Sequence, residues 1–157
     1  ESGTLLKNRE RGEREINLDA ELTTVINDWI NDRHPKVKDE HDRLPLIGTT
    51  NGRAHETTIR DRMYYVTRPC YYTNKCPHDR TIEDCEATTV NVACKCPSSV
   101  SPHAIRKGSI TYHRNKGWPT DAVSDRADVS REVLDKHYDK RDEEVKVEQR
   151  RDYINGI

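Results

Sequence analysis

All five cysteines of this 157-residue chain fall between Cys70 and Cys96. Residues 69–100 also hold Pro69, Pro77 and Pro97 and show no apolar period. Periodicity is the primary signal for helix or strand. A stretch without it, rich in thiols, reads as an insertion held by something other than a core. The segments on either side are periodic, so the cysteines separate an N-terminal part from a C-terminal part.

In the N-terminal part, residues 3–7 and 13–18 read as two strands joined by a charged turn at Gly12, which predicts a β-hairpin. Asp19 is placed to cap a helix. Leu22, Val25, Ile26, Trp29 and Ile30 then recur at i, i+3, i+4, i+7 and i+8, one apolar face that ends before Pro35. Residues 33–45 read as a polar loop and 44–50 as a short extended segment, followed by a turn at Asn51-Gly52. Residues 57–68 read as a helix with Ile59, Met63 and Val66 on one side. After the insertion, Ser101 is a good N-cap and Pro102 suits the first helical position. Trp118-Pro119 begins a short segment. Ser130 caps a final long helix carrying Val133, Leu134 and Tyr138 on one face, highly charged beyond Arg141. There is no internal repeat. The expected class is α+β, mainly α-helical, with a small N-terminal β-hairpin and a cysteine-rich insertion, in one domain over 1–157.

Only 32% of residues are hydrophobic, Phe is absent and 35% are charged, so the core must be thin. Such a chain can depend on a partner domain or a metal for its stability. The net charge of −1 does not announce nucleic acid. The distribution says more. Arg106, Lys107, Arg114 and Lys116 occupy 101–118 without an acidic residue, and Lys7, Arg9, Arg11 and Arg14 face only Glu10 and Glu13 across 5–14. A basic stripe can follow a phosphate backbone; a solvated surface would look the same. From Asp121 onward the charge is mixed and slightly acidic. No apolar run approaches the roughly 20 residues of a membrane span, and no signal peptide is evident. The chain begins at Glu1 inside what reads as a strand, so an excised fragment and a cytoplasmic location are expected.

The most specific stretch is Ser101-Pro-His-Ala-Ile-Arg106, followed by Leu134-Asp-Lys-His-Tyr138. On a helix His103 and Arg106 stand at i, i+3 and point at one spot. A guanidinium there can grip two phosphate oxygens, and an imidazole beside it can move a proton. A tyrosine reaching the same phosphate could attack it, given a base or a cationic field. A surface His, a surface Arg and a core Tyr would give the same spacing.

This arrangement resembles the tyrosine recombinases of the phage-integrase family, and most of all the integrases of archaeal genomes. Their signature is His-x-x-Arg near the start of one helix and a tyrosine about 30 residues on in another. A hairpin lysine ahead of a Glu-Arg and an apolar strand is similar to Lys7 followed by Glu13-Arg14-Glu-Ile-Asn-Leu18. The resemblance covers nearly the whole chain outside 69–100, which would be the C-terminal part of the catalytic domain. It implies site-specific DNA recombination or integration through a 3′-phosphotyrosine at Tyr138. Arg106 would stabilise charge on the non-bridging oxygens, Lys7 would be the general acid for the leaving 5′-oxygen, and His103 would help proton transfer at the tyrosine. Double-stranded DNA is the implied partner and no catalytic cofactor is needed. A tetramer of the parent protein on DNA is implied, with this fragment monomeric. In two places the chain departs from the family. A first arginine, upstream of the hairpin, is not in this sequence, so little cleavage is expected from these residues alone. Where the family has a second histidine stands Val123-Ser-Asp-Arg126-Ala; Arg126, His137 or nothing fills that role. The tail beyond the tyrosine would pack on a neighbouring subunit, with Val145, Val147, Tyr153 and Ile154 as contacts.

In a cytoplasmic chain, clustered thiols suit zinc better than disulfides. The expected ligands of a closed structural site are Cys70, Cys76, Cys85 and Cys96, with Cys94 or His78 able to replace one. The site would shape the loop leading into Ser101. Reduced thiols in an extended loop are the plainer reading, and disulfides a third. Two further function classes stay open: a non-catalytic zinc-containing DNA-binding module, and a protein-interaction domain without salt-sensitive DNA affinity.

Overall fold

A computed structural model describes residues 15–138 and 143–155. The chain divides into two compact units, residues 1–62 and 63–157. Among the described residues it is mainly helical, with one two-stranded antiparallel sheet.

In the first unit, α1 spans Ala20–Asp28 and continues through one π-helical turn, Trp29–Arg33. Asp19 caps it, its carboxylate accepting from Leu22 N at 2.8 Å, and the turn ends at His34, before Pro35. The sheet pairs β1 (Gly48–Thr49) with β2 (Gly52–Arg53) in the register Gly48↔Arg53 and Thr49↔Gly52. This hairpin is not the one the sequence predicts. Residues 15–18, the described end of the expected second strand, form no strand, and the rest of that hairpin lies outside the described residues. Ile16 and Leu18 are both exposed, so alternation there has no core to face. The extended segment and the turn expected around 44–52 form the hairpin instead. Gly52 makes the turn possible. Its φ is +97°, and a Cβ there would meet the Lys38 carbonyl oxygen at 3.0 Å.

Polar bonds do most of the holding in this unit. The Trp29 indole donates to Leu46 O at 2.8 Å. His34 Nε2 donates to Pro45 O at 2.8 Å while its Nδ1 accepts from Lys36 N at 3.0 Å, which fixes the tautomer. The Asp39 carboxylate closes the loop 39–43, accepting from His41 N, Arg43 N and the Arg43 guanidinium. Arg43 holds the Asp39 carboxyl down at about 2, below the ordinary carboxylate range.

Helix α2 spans Glu56–Val66, matching the helix expected over 57–68. In the second unit, α3 (Pro69–Thr73) and two 3₁₀ turns, Glu86–Thr88 and Val90–Lys95, build the cysteine-rich segment. Then come α4 (Pro102–Asn115), α5 (Thr120–Ala127), α6 (Arg131–His137) and α7 (Glu143–Asn155). Ser101 caps α4 with Pro102 in its first turn, and Ser130 caps α6, as the sequence indicates. The expected final long helix is interrupted: α6 ends at His137, and Tyr138 caps it with φ −123°. Leaving helical geometry at Tyr138 keeps its ring in the core with Ile110, Val123 and Leu134. Ala127 and Val129 pack against that cluster.

Candidate functional site

The start of α4 is fixed on both sides. Ser101 Oγ accepts from Ala104 N at 3.2 Å. Just before it, Val100 N donates to Thr67 Oγ1 at 2.9 Å, and that hydroxyl donates to Met63 O at 2.7 Å. One turn into α4, Arg106 reaches across to the end of α5. Its Nη2 donates to Ala127 O and, at 3.2 Å, to Asp128 O. Asp128 is the left-handed C-cap of α5, with φ 49°. A cation suits these carbonyls, which carry the negative end of the helix dipole. The two bonds engage Nη2 alone, and the guanidinium has three further N–H groups.

Between α4 and α5 lies a cavity of about 190 Å³. Arg106 and Arg126 line it together with His113, Ser109, Ile110 and Val123. Ile110 and Val123 also pack in the cluster that holds Tyr138, so the cavity and the tyrosine share two walls. The Arg126 guanidinium lies 6.0 Å from the centre of the Trp118 ring, and His113 meets the same ring edge-on at 4.4 Å. Two guanidiniums and an imidazole around a small cavity suit an anion with several oxygens, such as a phosphodiester.

The expected site residues are therefore partly brought together. Arg106 and Arg126 share the cavity, whereas Tyr138 is buried in the core cluster with Ile110, Val123 and Leu134 and does not line it. His103 is exposed on α4 and does not line the cavity; His137 is exposed at the end of α6. Lys7 lies outside the described residues. The basic stripe of 101–118 is broken, because Arg114 is buried, bonded to Thr120 Oγ1 and 3.6 Å from Asp135. Sequence reasoning missed His113. The only signal for it was its place seven residues after Arg106, two turns on along the same helix face. Of the expected tail contacts, Val147 and Ile154 are exposed.

The expected zinc ligands are not gathered. All five cysteines are free thiols, and no group of three or more His, Cys, Asp or Glu able to hold a metal occurs among the described residues. The segment instead buries Ala87, Ala93 and Cys96 and leaves Cys94 exposed. Lys95 pairs with Glu86 and so ties the two 3₁₀ turns together; this bond raises the lysine above its ordinary value. Small side chains and short local bonds contribute cohesion in this segment. His78 is the exception, with an enclosed Nε2 that has no hydrogen-bond partner among the described residues.

Compared with known proteins, the chain matches no family profile, no curated protein and no solved structure.

Proposed function

We propose that the chain carries the nucleophile and phosphate-binding face of a DNA strand-cleaving and rejoining enzyme, a tyrosine-type site-specific recombinase. One observation supports this reading above the rest: Arg106 and Arg126 line one cavity whose walls, Ile110 and Val123, also pack with Tyr138. Arg106 and Arg126 neutralise the non-bridging oxygens of the scissile phosphate. Arg126 thereby fills the position of the second family histidine. Tyr138 Oη attacks phosphorus and leaves a 3′-phosphotyrosine and a free 5′-hydroxyl; the reverse step with a hydroxyl of another strand exchanges strands. The general-acid role of Lys7 and the proton role of His103 rest on the resemblance alone. Double-stranded DNA is the proposed partner, bound with an affinity that falls as salt rises.

The test uses the chain and, where its gene encodes residues before Glu1, a version extended by them. Each is incubated with nicked duplexes tiling the DNA that flanks its coding gene. A slow, protease-sensitive band on a denaturing gel, lost in Tyr138→Phe, is expected. No band with any duplex, from any version tested, contradicts the reading.

A second reading is a zinc-containing DNA-binding module without chemistry. The enclosed Nε2 of His78, which stands between Cys76 and Cys85 in the sequence and has no hydrogen-bond partner among the described residues, favours it. It predicts stoichiometric zinc and thiols shielded from alkylation until a chelator is added, alongside DNA binding with no covalent product.

A further inference from the structure

We propose that Tyr71 and Tyr72, on α3 at the start of the cysteine-rich segment, form a stacking platform for the unpaired nucleobases of a single strand. Four of the chain's seven tyrosines, Tyr64, Tyr65, Tyr71 and Tyr72, stand close together in the sequence. Residues 63–78 hold no Asp or Glu but carry Arg68 and Lys75. In the structure three of these rings form a ladder. Tyr71 meets Tyr65 at 5.3 Å and 68°, and Tyr72 at 5.2 Å and 88°. The ladder leads outward. Tyr65 is half-buried, Tyr71 is 49% exposed and Tyr72 is 69% exposed. Two large rings left side by side in water, in a chain short of apolar residues, mark a contact surface.

Both ends of the platform are fixed. Arg68 is buried, and its guanidinium carbon lies 4.4 Å from the centre of the Tyr65 ring while its Nε donates to Tyr65 O at 3.1 Å. The guanidinium therefore anchors the innermost ring and is not a surface cation. Pro69 opens α3, and Asn74 closes it in the left-handed conformation, φ 52°, with its N–H donating to Cys70 O. The Thr73 hydroxyl accepts from Lys75 N at 3.2 Å, which ties down the turn after the rings. Rings held by their neighbours lose little freedom when a ligand stacks on them.

Charge selects the occupant. A strand with unpaired bases offers flat faces and a phosphate on every nucleotide. The tyrosines meet the faces, and such stacking tolerates any sequence because every base has a π-face. Lys75 is exposed three residues after Tyr72, which keeps their Cα atoms within roughly 11 Å. No carboxylate within 63–78 opposes a phosphate there. In a duplex each internal base is already stacked on its neighbours and has no face to offer. DNA and RNA single strands share the chemistry that the rings and the lysine recognise.

The experiment measures binding of the whole chain, by fluorescence anisotropy, to labelled oligothymidylate, oligouridylate and an abasic strand with the same number of phosphates. Tyr71→Leu and Tyr72→Leu keep apolar bulk and lose the ring, and circular dichroism checks that each still folds. Each should weaken binding to the base-bearing strands by about 5–150-fold, the range for one stacking aromatic, and leave the abasic strand bound as by wild type. Tyr72→Phe, which keeps the ring, should bind like wild type. Lys75→Gln should flatten the salt dependence by about 0.7 in log–log slope. Binding of either base-bearing strand sustains the platform, and a preference for one names its sugar. A wild type that binds the abasic strand as tightly as oligothymidylate, or leucine variants that keep wild-type affinity, would overturn it. A wild type that binds no single strand would overturn it too and leave the rings to a protein partner. Neither ring takes part in the proposed cleavage, so covalent trapping on nicked duplex tests the recombinase reading separately.

Discussion

Residues 63–157 bury Leu134 completely, together with Ile110, Val123 and Tyr138, whereas the described residues of 1–62 bury only Gly52 and Ala54. Both units draw on the same apolar-poor composition. The second concentrates its few apolar side chains where α4, α5 and α6 meet. The first leaves Leu22, Val25, Leu44, Leu46 and Ile47 exposed and closes its loops with bonds from Asp39, His34 and Trp29. Burial is non-directional and scales with area, while a polar knot depends on geometry and on charge state. The two units should therefore answer differently to mutation and to acid.

The largest expected effect is in the second unit. Leu134→Ala should lower stability by roughly 2–5 kcal/mol, the range for a large-to-small change in a packed core. In the first, Val25→Ala, at an exposed position, should stay within about 0.5 kcal/mol. Urea unfolding of both variants measures the contrast, and equal losses would break it.

Next comes acid. The Asp39 carboxyl sits at about 2 because Arg43 and the 41–43 backbone bind its charged form. A depressed carboxylate contributes its full stability above the unfolded value of about 3.9. That contribution fades as pH falls from about 4 through about 2. Each unit holds one tryptophan, Trp29 and Trp118. In a Trp118→Phe background, Trp29 fluorescence should report the first unit loosening over that window, and Asp39→Asn should remove the acid step.

A smaller effect is expected at Arg106. Its bonds to Ala127 O and Asp128 O join α4 to the end of α5, so Arg106→Ala should cost about 1 kcal/mol in thermal unfolding of the second unit. Under the proposed function the same change should remove covalent cleavage far more than it lowers stability, which separates the arginine's tie to α5 from its work on phosphate. The smallest effect belongs to the exposed Lys95–Glu86 pair. A raised lysine contributes fully below its unfolded value and loses that contribution as pH rises through the raised one. Glu86→Gln should scarcely move the midpoint at neutral pH, as surface pairs contribute little.

What was legible in the sequence is what is local. The caps at Asp19, Ser101 and Ser130 depend on a side chain bonding an amide three residues on, and all three form. The helices over 20–33, 56–66 and 102–115 followed from period and punctuation. The strand expected over 13–18 forms no strand in its described part, 15–18, and the described sheet lies at 48–53 instead, since a hairpin also needs a seat. Gly48 and Gly52 allow close approach of His34 and Lys38 at 48–53. The break at Tyr138 was hidden because it serves a cluster drawn from three helices. His113 was hidden for the same reason, since only α5 turns that face of α4 into a cavity. Arg114 reads as a surface cation until Thr120 and Asp135 close over it.

The central claim is that Tyr138 becomes covalently joined to DNA. The most direct measurement is peptide mapping by mass spectrometry of the protease-sensitive species formed on nicked duplex, after nuclease trimming. The account predicts a nucleotide linked through a 3′-phosphate to the peptide containing Tyr138, absent from Tyr138→Phe. A nucleotide on any other residue, or an adduct that persists in Tyr138→Phe, would contradict it.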